Sequence, residues 1–138
     1  MAKTVTLADG TKLPALGMGT WNMGDTLGAR MTQELESLRY GVDAGITLID
    51  TAEMYGDGRS EALVGEAIYR EREKVFLVSK VLPNHASGAG VAEACRNSLR
   101  RLGTEYMDLY LLHWRGSVPL VETVEAFRKL KQQGLIKY

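Results

Sequence analysis

The sequence predicts an α/β protein in which a short N-terminal hairpin is followed by four strand–helix units that share one parallel sheet. Two observations predict it. Four short apolar runs, each near strand length, alternate with longer segments whose apolar residues recur at helical spacing. The runs are apolar almost throughout, the pattern of strands covered on both faces. Such strands, separated by helices, form parallel sheets with right-handed crossovers.

The elements follow in chain order. "TVTLADGTKL" alternates polar and apolar residues about Asp9-Gly10 and reads as a hairpin with a two-residue turn. "ALGMGTW" (15–21) is the first strand of the sheet. A helix from Thr32 then sets Leu35, Leu38 and Val42 on one face, with Gly45 placed to end it. "ITLID" (46–50) is the second strand, and Ser60 is a good N-cap for a helix carrying Leu63, Val64, Ala67 and Ile68. "VFLVSKV" (75–81) is the third strand. Its helix carries Val91, Ala94, Cys95, Leu99 and Leu102 and stops at Gly103. "MDLYLLHW" (107–114) is the fourth. The last helix starts near Pro119, uses Val121, Val124, Phe127 and Leu130, and stops at Gly134. Leu135, Ile136 and Tyr138 in the closing "GLIKY" read as the first residues of a fifth strand. No linker, low-complexity tract or charge run divides residues 1–138, which are read as a single unit.

Bulk properties exclude several classes of partner. Seventeen basic and seventeen acidic side chains among 138 residues give a formal charge of zero, so neither nucleic acid nor an anionic membrane surface is an expected partner. "MAKTVTLADG" lacks the apolar core of a signal peptide, and no apolar run approaches the roughly 20 residues of a membrane span. The single cysteine, Cys95, has no intrachain partner and reads as a small buried residue. A cytoplasmic protein is the expectation. The two histidines and the cysteine are scattered and make no metal motif, and His85, in "PNHASGAG", reads as a solvated loop residue.

The chemistry gathers at the strand ends. In parallel α/β sheets the C-terminal ends of adjacent strands share one rim, where catalytic groups collect. Asp50 ends the second strand, Lys80 lies near the end of the third, His113 near the end of the fourth, and Tyr55 is on the loop after the second. Each residue type has an ordinary structural use: a turn or cap for Asp, a packed ring for Tyr, a satisfied core ring for His. Lysine beside a buried strand is harder to explain structurally, because it is almost never buried without a partner.

Together they suit proton donation by a tuned phenol. Tyrosine's ordinary pKa of about 10 is too high for an efficient acid near neutrality. A neighbouring ammonium stabilises the phenolate, and a carboxylate keeps that ammonium charged. Asp50–Lys80–Tyr55 is such a relay, with His113 free to hydrogen-bond and orient a carbonyl oxygen. Trp21 and Trp114 suggest an apolar or aromatic-lined pocket. "GMGTWNMG" is no dinucleotide fingerprint: Asn22 stands where the third glycine belongs and no helix opens there.

"GMGTW", "DTAEMYGDGRSE", "VFLVSKV", "SLRRLGTEYMDLYLLHW" and "LKQQGLIKY" resemble the aldo-keto reductases in order and spacing across residues 10–138. The resemblance implies a TIM (β/α)8 barrel closed at its bottom by a hairpin, of which this chain would supply the hairpin and four βα units, a half-barrel ending at the start of strand 5. It further implies reduction of aldehydes and ketones with NADPH, by hydride transfer from the nicotinamide to the carbonyl carbon. By motif, Tyr55 resembles the general acid, Lys80 and Asp50 its partners, and His113 the residue that aligns the carbonyl. Gly19, Thr20 and Asp50 would lie at the nicotinamide end of the cofactor; Trp21, Tyr55, His113 and Trp114 would face a small carbonyl substrate.

Such barrels run to about 300 residues, and the family's nicotinamide-stacking and phosphate contacts come mainly from later strands. The fragment alone is therefore expected to be inactive, and to self-associate through open barrel edges or to pair with a C-terminal half. A non-catalytic half-barrel serving assembly or binding is the alternative. A phosphate-handling lyase or isomerase fits the Asp-Tyr-Lys-His set less well.

Overall fold

A computed structural model describes residues 3–138. The hairpin pairs β1 (Thr4–Thr6) antiparallel with β2 (Lys12–Pro14), Val5 opposite Leu13. Its turn differs from expectation. The Leu7 N–H donates to the Thr11 carbonyl at 2.8 Å and the Gly10 N–H to the Leu7 carbonyl at 2.9 Å, which closes a three-residue loop with Gly10 at φ 89°. A two-residue type I′ turn needs positive φ at both central residues. Here only the glycine supplies it, so the chain takes the looser turn ending in a left-handed glycine.

The main sheet has four parallel strands in sequential order: β3 (Gly17–Gly19), β4 (Leu48–Asp50), β5 (Phe76–Val81) and β6 (Leu109–Leu112). Each is shorter than its apolar run. In the first, the chain leaves the ladder at Trp21 and turns through Asn22 at φ 67°. Helices α1 (Ala29–Asp43), α2 (Arg59–Ile68), α3 (Gly88–Leu102) and α4 (Leu120–Gln132) pack in succession along the sheet. The fifth strand is present as its first step: Met107 bridges Ile136 in parallel, and the Tyr138 N–H donates to the Asp108 carbonyl.

Two expected helix starts move. α1 begins at Ala29, ahead of Thr32, because Gly28 at φ 85° turns the chain in earlier. α2 begins at Arg59 behind left-handed Gly58, so Ser60 is not its cap. Ser60 is fully buried inside the first turn, where its hydroxyl meets partners from other elements. α3 ends at Gly103 in the left-handed conformation and α4 just before Gly134, as the sequence predicts.

Helices cover one face of the sheet. By strand alternation Ile49, Leu77, Ser79 and Tyr110 face them, and together with Leu38, Val64, Val91, Leu102 and Met107 they form the buried core. Packing is close where α2 meets the end of α3: a Cβ at Gly65 would sit 2.6 Å from the Leu102 carbonyl oxygen. The opposite face carries Leu48, Asp50, Lys80, Leu109 and Leu111 and is only partly shielded, with Leu111 exposed. Cover on both faces, expected from the apolar runs, is thus not found within this chain. One face of the runs meets helices, and the apolar residues of the other, among them Leu48, Leu109 and Leu111, are left uncovered by them.

Candidate active site

Register brings the functional groups to one rim. β3 and β4 pair Gly19 with Asp50, β4 and β5 pair Asp50 with Val78, and β5 and β6 pair Lys80 with Leu111. Asp50 and Lys80 share a face of the sheet, so the lysine reaches its acid across neighbouring strands. Lys80 Nζ lies 2.8 Å from each oxygen of Asp50 and donates to the Thr51 carbonyl at 2.8 Å. Its third neighbour is the Tyr55 hydroxyl at 3.4 Å. An ammonium has three protons, and here each has an acceptor.

Tyr55 opens a turn whose sequence, "YGDG", sets three residues in a row at positive φ: Gly56 at 57°, Asp57 at 53° and Gly58 at 86°. That backward kink lets the chain leave the rim and enter α2 directly. The His113 ring stands edge-on to Tyr55, with centroids 5.7 Å apart and planes at 79°, and leans on Trp114 at 4.8 Å. Burial pushes the His113 imidazole below its ordinary pKa, and the Lys80 charge pushes it the same way. Its Nδ1 is buried without a partner. The ring is therefore neutral at neutral pH.

The remaining site candidates are placed differently. Trp114 joins the rim and is half-exposed. Trp21, 70% exposed, lies on the α1 side among Arg30, Gln33 and Ser37 and touches none of the other site rings. A Cβ at Gly19 would meet nothing within 4 Å, so the end of β3 is open. Thr20 is fully buried. Its hydroxyl donates to the Asp50 carbonyl at 3.1 Å and accepts from Ser60 at 2.8 Å. The side chain is spent on holding β3 to β4 and α2.

The residues that hold this rim leave little trace in the sequence. Ser60 ties α2 to the Thr20 carbonyl at 3.0 Å, within reach of Thr51 at 3.3 Å. Glu61, fully buried, accepts from Ser79 of β5 at 2.6 Å and from Arg101 of α3 at 2.7 Å. The one local hint is an acid set beside the apolar stripe of α2; its arginine, forty residues on, leaves no local signal. His85 is also more than a solvated loop residue, since its Nδ1 lies 2.9 Å from Glu53. Cys95 is buried as expected, and burial pushes its thiol up to about 12. Among the described residues no group of acids, histidines and cysteine could hold a metal ion, and no helix is long and apolar enough to cross a membrane.

A groove of about 920 Å³ lies away from this rim. It runs past Tyr40, Asp43, Tyr69 and Gly103, at the C-terminal ends of the helices and so at the opposite end of the strands. Its size is no guide to the chemistry, which is set by where the titratable groups converge.

Residues 15–138 match the family model described as "Aldo/keto reductase family". The chain belongs to this family. Among curated aldo/keto reductases it is 54% identical over 135 residues to methylglyoxal reductase YeaE of Escherichia coli, covering 98% of this chain and 47% of that protein. It is 41% identical over 141 residues to aldo-keto reductase YhdN of Bacillus subtilis, covering 93% and 43%. The crystal structure of an aldo-keto reductase from Klebsiella pneumoniae in complex with NADPH superposes with a TM-score of 0.93 at 54% identity, covering 99% of this chain and 48% of that one. The chain thus spans about half the length of the relatives it matches. Aldo/keto reductases are TIM barrels, and this chain has the parallel β/α architecture of part of one.

Proposed function

We propose that residues 1–138 carry the proton-transfer side of a carbonyl reductase site, working in NADPH-dependent reduction of aldehydes and ketones to alcohols with Tyr55 as general acid. One observation carries the reading: a single ammonium, Lys80, bridges the Asp50 carboxylate and the Tyr55 hydroxyl, with the His113 ring against the phenol. The relatives support it, since one is named a methylglyoxal reductase and a similar structure holds NADPH.

The open end of β3 at Gly19, beside Asp50, leaves room for a flat ring and fits a nicotinamide there. Gly19 and Asp50 would hold that end of the cofactor, whereas the buried Thr20 side chain would act only through β3. The hydride comes from the reduced nicotinamide when the cofactor is bound. Tyr55 donates its hydroxyl proton to the carbonyl oxygen of the substrate. Lys80 stabilises the negative charge left on the phenol oxygen, and Asp50 holds Lys80 charged and aimed. With its proton on Nε2, a neutral His113 would donate it to the same carbonyl oxygen. Trp114 offers an apolar wall beside it.

Tyr55→Phe tests the assignment. Measured where this segment is joined to the rest of a barrel, kcat for aldehyde reduction falls by about 10² or more, the scale of general acid catalysis, with cofactor affinity retained. Near wild-type turnover removes Tyr55 from the mechanism. The 138-residue chain by itself turns over slowly or not at all, because the rim stands open: Trp21 is 70% and Trp114 50% exposed, and water is not kept out.

A further inference from the structure

Glu53 is an acid with one-tenth of its surface exposed that the relay above does not use. It lies midway along the loop between Asp50 and Tyr55. Its backbone N–H donates to the Lys80 carbonyl at 3.3 Å, extending the β4–β5 ladder past the last residue of β4. Its side chain then reaches beyond the end of β5. One carboxylate oxygen accepts the Leu82 N–H at 2.6 Å and lies 2.9 Å from His85 Nδ1.

The turn Pro83–His85 makes both contacts possible. The His85 N–H closes onto the Leu82 carbonyl at 3.0 Å, and the three-residue period of such a turn sets Leu82 and His85 on the same side. The turn is itself held from behind: a Cβ at Gly90, in the first turn of α3, would come within 2.7 Å of the His85 carbonyl oxygen. The helix that follows is thus packed closely against the His85 backbone.

We propose that Glu53 and His85 are positioning residues, a carboxylate–imidazole clasp between the loop after β4 and the loop after β5 that sets Tyr55 against Lys80 and His113. The proposal rests on the reading of Tyr55 as proton donor. Tyr55 lies two residues beyond Glu53, its N–H bonded back to the Ala52 carbonyl at 3.1 Å, so any shift of Glu53 is carried to the phenol. The Lys80–Tyr55 approach is already long at 3.4 Å, and a misplacement on the order of 1 Å in such a site can cost about 10²-fold in rate. Without the carboxylate the Leu82 N–H loses its acceptor, and among the described residues no other hydrogen bond joins the two loops beyond the ladder.

Histidine- and tyrosine-labelled NMR on this chain tests the clasp, since it holds only two histidines. In Glu53→Ala the Tyr55–His113 ring cross-peak is expected to vanish. The Leu82 amide should exchange roughly tenfold faster or more, the factor that a lost buried hydrogen bond corresponds to. Glu53→Gln, whose amide oxygen still accepts from Leu82, should retain both signals. His85→Ala should keep the Leu82 protection and weaken the cross-peak. An unchanged ring contact and unchanged Leu82 exchange in Glu53→Ala, at equal urea midpoint, overturn the proposal. Should Glu53→Ala not fold, Glu53→Asp serves: one methylene shorter, it cannot span the gap, so loss of the ring contact supports the clasp and retention overturns it. Turnover is read separately: failure of Tyr55→Phe to lower kcat defeats the proton-donor reading while leaving the ring contact to decide whether Glu53 sets the loop.

Discussion

Lys80 and His113 respond to the same surroundings in opposite ways. Lys80 is 13% exposed and finds a carboxylate, a carbonyl and a phenol for its protons, so its charge is compensated where it stands. His113 has no such partner, and desolvation together with the Lys80 charge disfavours its protonated form. This has a sign for stability. A histidine whose pKa is lowered on folding binds fewer protons in the native than in the unfolded chain, so stability is fully present above the unfolded value of about 6.5 and is lost as pH falls through the folded value. His113→Gln removes that titration. Urea unfolding between pH 7.5 and 5 should therefore show a shallower acid-side decline in the variant than in the wild type. Parallel declines would show that His113 protonates as easily folded as unfolded.

At the scale of elements, the "RSE" after the glycine turn is a joint between layers. Ser60 fastens α2 to β3, and Glu61 fastens α2 to both β5 and α3 through Ser79 and Arg101. Arg101→Met leaves the fully buried Glu61 carboxylate without its cation. Breaking buried pairs costs about 3–5 kcal/mol, and the lower end applies because Arg101 is one-third exposed. A loss of about 3 kcal/mol in urea unfolding is expected; a loss under about 1 kcal/mol would mean that water reaches Glu61 and the joint is dispensable. These residues also show what the sequence could disclose. Strands, helix faces and the rim acid, lysine, phenol and imidazole were legible because periodicity and strand ends are local patterns. Ser60 resembled a cap because serine before an apolar stripe usually is one; its real partner, Thr20, is forty residues away. Glu53 and His85 were hidden likewise, since their contact depends on how two loops meet.

For the whole molecule, the sheet's boundaries govern behaviour. Among the described residues β3 pairs with β4 alone, so its other edge offers unpaired backbone groups, and the outer edge of β6 is met by the Met107–Ile136 bridge and the bonds to Tyr138. The face away from the helices carries exposed Leu111, and α4 leaves Val121 and Val124 in solvent, at 69% and 45% exposure. Unpaired edges beside open apolar surface drive association. Two copies could meet edge to edge and approximate a closed eight-stranded sheet, which would bury both edges at once. A chain of these 138 residues is therefore expected to be dimeric or larger at tens of micromolar, or to pair with a separate chain that completes the sheet. Light scattering across a dilution series decides the first point, and a stable monomer at that concentration sinks it. NADPH oxidation on the same sample addresses activity. Duplicating this rim supplies two Asp50–Tyr55–Lys80–His113 sets without adding any new kind of cofactor contact, so association alone should not bring turnover. Robust NADPH oxidation by the self-associated chain would show that these strands hold the cofactor unaided.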